Sequence, residues 1–150
     1  NKRMRIANVS TTETSNNEEE QENEVVERSF YDEPICKEIL GIVKDNSFKA
    51  RVNYKEYKEF ALDDKQFLKL RTVTNLHYND LTNTLKNQFP ELTIDDVNYC
   101  CLYLLGLKTA DISALMHKEY STTRYRKEKI KNVLKSGSNI PTALKTLQSQ

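Results

Sequence analysis

Only three glycines and three prolines punctuate 150 residues, and that scarcity limits the fold more than any other feature. A β-sandwich or barrel needs a turn every few residues, and turns draw on Gly and Pro for backbone conformations that other residues resist. Helices joined by short loops need few of either. Apolar residues recur at helical spacing on at least four segments, so the expectation is an all-α chain with room for one domain of ordinary size, or one compact domain plus a tail.

Residues 1–28 read as a polar, acidic, disordered linker. Thr11 to Asn17 are Thr, Ser, Asn and Glu, and Glu18, Glu19, Glu20, Glu22, Glu24 and Glu27 follow. Such a tract cannot bury enough apolar surface to offset the entropy of ordering, so disorder or a frayed helix is expected. The basic start, Lys2, Arg3 and Arg5, would suit the flank of a membrane span in a parent protein. A chain that opens on Asn1 rather than Met is expected to be a piece of a longer one.

Residues 29–90 read as a helical region. Pro34 suits a first helical turn with Asp32 or Glu33 near its start; Ile35, Ile39, Leu40 and Val43 follow at helical spacing, and Asp45-Asn46 is the stop. From Phe48 to Phe60 neither period fits Val52, Tyr54, Tyr57 and Phe60, which predicts a loop with a helical end. Asp63-Asp64 caps the next helix, with Phe67, Leu68, Leu70 and Val73 as its apolar stripe. A further helix is expected from about Leu76 to Gln88, carrying Leu81, Leu85 and Phe89 inward and ended by Pro90. The aromatics Tyr54, Tyr57, Phe60, Phe67 and Tyr78 are better explained by core packing than by a ligand pocket.

The function classes excluded follow from what is missing. Cys36, Cys100 and Cys101 are an odd count with two adjacent, which disfavours a disulfide framework and suits a reducing compartment. The two histidines, His77 and His117, lie far apart in sequence, and no Cys/His cluster is present. There is no glycine-rich phosphate loop and no nucleophile with an obvious partner; Asp63-Asp64 and Asp95-Asp96 read as helix-start acids, not catalytic dyads. The expectation is no enzyme, no cofactor, no metal and no small-molecule site. No apolar run approaches the roughly 20 residues of a spanning helix, and no signal peptide is visible. A cytoplasmic protein is expected, or the cytoplasmic C-terminal part of a membrane-anchored one.

Residues 91–150 carry the informative pattern. Thr93 is an N-cap with Asp95 and Asp96 in the first turn; Val97, Cys100, Cys101 and Leu104 form the buried face of an amphipathic helix. Gly106 ends it, and Leu107 folds back. Thr109 caps a short second helix with Ile112, Leu115 and Met116 inward. A tight turn, His117 to Tyr120, leads to Ser121 or Thr122 as cap of a third helix, in which Tyr125 or Arg126 points outward and Ile130, Val133 and Leu134 face the core. After Gly137, Pro141 opens a last helix whose Ala143, Leu144 and Leu147 either cover the core or meet a partner. The net charge is only +1, yet Lys108 to Lys135 holds eight basic residues (Lys108, Lys118, Arg124, Arg126, Lys127, Lys129, Lys131, Lys135) against three acidic (Asp111, Glu119, Glu128). Two short helices followed by a longer basic one is the geometry that lays side chains in a major groove.

The stretch from Leu92 to Leu134 resembles the LuxR-type helix-turn-helix domain. Leu92-Thr93, Gly106-Leu107, Asp111-Ile112, Thr122, Ile130 and Leu134 fall at that family's intervals without a gap, over under a third of the chain. The FPELT entry and the paired cysteines look most like the Bacteroidetes branch, in which the domain often ends a long protein with helical repeats, a membrane span and a linker. Departures are Lys108-Thr109 where Ser or Thr usually precedes the second helix, Ser113 for a small Ala, Lys118 for an apolar turn residue, and Thr123 for Val. The resemblance implies a helical N-terminal region followed by a LuxR-like, winged-helix-like helix-turn-helix, and a signalling role in transcription regulation. The expected partner is double-stranded DNA, read through the major groove by a helix from about Ser121 to Leu134. Arg124, Tyr125 and Glu128 would face base edges, Lys108, Thr109, Lys118, Lys127 and Lys131 would contact phosphates, and Thr122 would lie at the interface. A homodimer would form through an upstream region. The alternative is a helical protein–protein interaction module that keeps the fold without binding DNA.

Overall fold

The computed structural model describes residues 25–51, 58–135, 137 and 139–148. The acidic tract up to residue 24, the basic start and the ambiguous Val52, Tyr54 and Tyr57 lie outside them, whereas residues 25–28, expected within the linker, are helical. Every regular element among the described residues is helical: α1 (25–31), α2 (Pro34–Lys44), α3 (Asn46–Arg51), a short 3₁₀ turn (Lys58–Phe60), α4 (Asp64–His77), α5 (Leu81–Gln88), α6 (Ile94–Leu104), α7 (Thr109–Met116), α8 (Tyr120–Leu134) and α9 (Ile140–Gln148).

Helix α6 is the centre of the assembly. Thr93 starts it, and no Gly or Pro interrupts it. The periodicity predicts one buried face, but every residue from Asp96 to Leu104 is buried. The cause is tertiary: α4, α5, α7, α8 and α9 all pack on α6, so beyond its first turn it has no solvent face. Its polar residues are accommodated individually. Asn98 Oδ1 accepts from Arg71 Nη1 of α4 at 2.8 Å, and Asp96 is held as described below.

The N-terminal helices build a wall on this centre. Pro34 opens α2, and Ile35, Cys36 and Ile39 face the core. Asp45 ends α2 as expected, but its carboxylate then accepts from the N–H (2.8 Å) and hydroxyl (2.6 Å) of Ser47. That local bond starts α3 where the apolar pattern predicts loop. Phe48 is buried edge-on to Phe60, ring centres 5.0 Å apart. In α4, Phe67 and Leu70 are buried and Val73 is half-buried, whereas Leu68, expected in the same stripe, is 57% exposed.

The single helix expected from about Leu76 to Gln88 does not form. Instead of one helix, α4 runs on to His77 and the chain turns at Asn79 (φ 53°) and Asp80 (φ 61°) before α5. Asn and Asp are the non-glycine residues that best tolerate the left-handed region. Asn75 secures the turn: its carbonyl accepts from Asp80 N–H at 2.9 Å and its side chain from Thr82 N–H at 2.8 Å. The break leaves Leu76 at 72% exposure. Leu81 and Leu85 are buried and Phe89 half-buried.

At the other end of the chain, Asn139 Oδ1 caps α9 through Thr142 N–H (2.9 Å), and Pro141 sits in the first turn. Ile140 and Leu144 enter the core that begins at Phe30, so α9 covers it. Glu27 of α1 pairs with Lys145 of α9. No helix among the described residues is long and apolar enough to cross a membrane.

Candidate nucleic-acid interface

Two left-handed residues shape the region from α6 to α8. Gly106 (φ 80°) follows the last turn of α6, donating to Tyr103 O at 2.9 Å. His117 (φ 55°) follows α7; its N–H donates to Ala114 O (3.1 Å), and Lys118 N–H donates to Ser113 O (2.9 Å). This pair of bonds satisfies the last carbonyls and reverses the chain within a few residues. Buried Ile112, Ala114 and Leu115 fix α7 from within, and Leu115 O accepts from Leu62 N–H at 2.9 Å.

The caps differ from expectation by one to three residues. Lys108, not Thr109, is the N-cap of α7, and Glu119 precedes α8, so Ser121 and Thr122 lie in its first turn and cap nothing. Neither Lys108 nor Glu119 makes a side-chain cap bond. The preceding turn sets where these helices begin, and cap-forming residues do not.

Helix α8 is anchored at three levels. Ile130 is fully buried, and Val133 and Leu134 pack on the core. Thr123 is buried facing Tyr99 of α6; burial raises the Tyr99 phenol, and neither oxygen has a partner in hydrogen-bonding geometry. The third anchor is ionic. Asp96, with 0% exposure, accepts from Arg126 Nη1 at 2.8 Å and Lys129 Nζ at 2.7 Å, while its Oδ2 also accepts from Thr93 N–H at 2.9 Å. Burial alone raises the Asp96 carboxyl. The bonds from Lys129, Thr93 and Arg126 outweigh it and hold the group below its ordinary value. The same bond to Asp96 raises Arg126 further above its already high value.

The outward side of α8 is a stripe. Ser121, Arg124, Tyr125 (71% exposed), Glu128 and Asn132 are exposed along it. The guanidinium of Arg124 lies over the Tyr120 ring, 5.9 Å from its centre. Of the residues expected at an interface, Thr122, Arg124, Tyr125 and Glu128 are exposed on α8, Lys127 and Lys131 are half-buried on one edge of it, Lys108 is exposed before α7, and Thr109 and Lys118 are half-buried. Between Tyr125 and Arg126, left open by the sequence, Tyr125 is the outward one.

Two features escaped sequence reasoning. One is the Asp96 cluster, which takes two cations out of the basic count and leaves six basic residues against three acidic. Its signal was present: Thr93-x-x-Asp96 is a capping-box spacing, and Arg126 and Lys129 are three apart on one helix face. The other is Asn132, which shares the face of Arg124 and Glu128 by spacing alone.

The three thiols lie away from this surface, all buried and unbridged. Burial pushes Cys36 up to about 12 and Cys101 to about 11, so both are protonated at neutral pH. No three His, Cys, Asp or Glu side chains converge among the described residues. No family model, curated protein or solved structure matches the chain.

Proposed function

We propose that this chain is a DNA-binding transcription regulator that reads duplex DNA with α8 in the major groove. The observation carrying the reading is the division of α8 into a face held to the core through Thr123, Ile130 and the ion pairs to Asp96 and an opposite face exposing Arg124, Tyr125, Glu128 and Asn132. A groove-reading helix needs both: rigidity behind, hydrogen-bonding side chains in front. Arg124, Tyr125 and Glu128, joined by Asn132, meet base edges; Lys108, Thr109, Lys118, Lys127 and Lys131 meet phosphates, with Thr122 at the margin. One such helix contacts few base pairs, so pairing of two copies supplies the rest of the affinity.

Selection of duplexes from a random pool tests this directly. The chain should enrich a short motif, and Arg124→Ala should lose roughly 1–3 kcal/mol on that motif while relaxing preference at one position. The exposed Tyr120 and Tyr125 favour the second reading, a protein-interaction surface, since aromatics are enriched at interfaces. Salt-insensitive association with a protein and no enriched motif would select it.

A further inference from the structure

We infer that Asp96 withholds Arg126 and Lys129 from the duplex, so that phosphate contacts fall to the cations on the opposite edge of α8. The inference rests on the DNA-binding reading and says which cations carry it. In sequence, Lys127, Lys129 and Lys131 are interchangeable members of one basic run. In the fold they are not.

A helix advances about 100° per residue, which sorts the run into three lines. Arg124, Tyr125, Glu128 and Asn132 occupy the outward centre. Lys127 and Lys131, four apart, line one edge, and neither makes an ion pair among the described residues. Arg126 and Lys129, three apart, line the other edge and converge on one carboxylate.

Accessibility does not separate the two edges, because Arg126 and Lys129 keep 26% and 31% of their side-chain surface exposed. The cost of leaving does. Asp96 has no exposed surface, so moving either cation to a phosphate strands a buried negative charge with half its compensation, the arrangement that is most costly in a protein interior. Lys127 and Lys131 give up nothing when a phosphate arrives. Arg126 and Lys129 are therefore positioning residues: they set how α8 sits on α6 and contribute no counterion release. Asp96 lowers the cation count that any duplex can use, whatever its sequence.

Salt dependence reads the number of phosphate contacts and is indifferent to a structural role. Binding of the 150-residue chain to a labelled duplex of mixed sequence is measured by anisotropy from about 50 to 200 mM salt. Lys131→Gln should lower the slope of log K against log salt by about 0.9, the loss of one contact. Lys129→Gln and Arg126→Gln remove the same charge and should leave the slope at the wild-type value. Asp96→Asn should raise it, by up to two contacts, as both cations become available. Lys129→Gln lowering the slope as much as Lys131→Gln overturns the inference, and so does a folded Asp96→Asn with the wild-type slope. Should Asp96→Asn not fold, the comparison of Lys129→Gln with Lys131→Gln decides alone. A wild type whose affinity does not fall with salt instead fails the DNA reading, and this inference with it.

Discussion

Helices α4 and α6 begin with the same device and use it differently. In each, an N-cap oxygen accepts the N3 backbone N–H while the N3 side chain accepts the N–H of the cap residue: Asp63 with Gln66 in α4, Thr93 with Asp96 in α6. At α4 the box is exposed, and Gln66 Nε2 donates to Glu38 Oε2 of α2 at 2.7 Å. At α6 the cap residue Thr93 is exposed as well, but its acid, Asp96, is fully buried and also receives two cations from a helix some thirty residues later. A capping box by itself satisfies two backbone donors, and Ala in place of a capping side chain costs about 1 kcal/mol. What it is worth beyond that depends on what the rest of the fold brings to it.

Removing each acid is the most direct way to break the comparison. Asp96→Ala should cost about 3 kcal/mol, because it strips the box and leaves two cations facing a buried gap. Urea unfolding measures it, and a loss near 1 kcal/mol would make the two boxes equivalent. The acid limb of stability sharpens the contrast next. Because the folded Asp96 carboxyl is held below its ordinary value, its contribution is fully present above the unfolded value near 3.9 and is lost as pH falls through the folded value. The advantage of wild type over Asp96→Asn should therefore shrink below about pH 4. Asp111, raised by burial, works in the opposite sense but is common to both proteins. A difference that stays constant into strong acid would show that the ion pairs add nothing.

Asp63→Ala should cost only about 1 kcal/mol, as a local, solvated cap requires. The smallest effect belongs to the seam that Asp96 closes. Thr123→Val keeps the shape and removes a buried hydroxyl without a partner, so a gain of up to about 1 kcal/mol is expected. A loss on thermal melting would mean that Thr123 and Tyr99 bond in solution.

The helical class, the starts of α2, α4 and α6, and the inward Ile112, Leu115 and Ile130 were legible in the chain because they rest on nearest-neighbour chemistry and helical spacing, which need no partner. Elements set by competing local bonds were read less well: Ser47 restarts a helix after Asp45, and Asn79-Asp80 divide what periodicity joins. The exposed stripe of α8 was half legible. Spacing nominates Arg124, Tyr125 and Glu128, but spacing equally nominates Arg126 and Lys129. Only the tertiary structure decides that the latter two are committed, since their partner Asp96 lies about thirty residues away and its burial is produced by five helices meeting on α6. Helix propensity and periodicity are local and additive along the chain. The fate of a charge depends on which surface lies opposite it, and that is known only once the helices have packed.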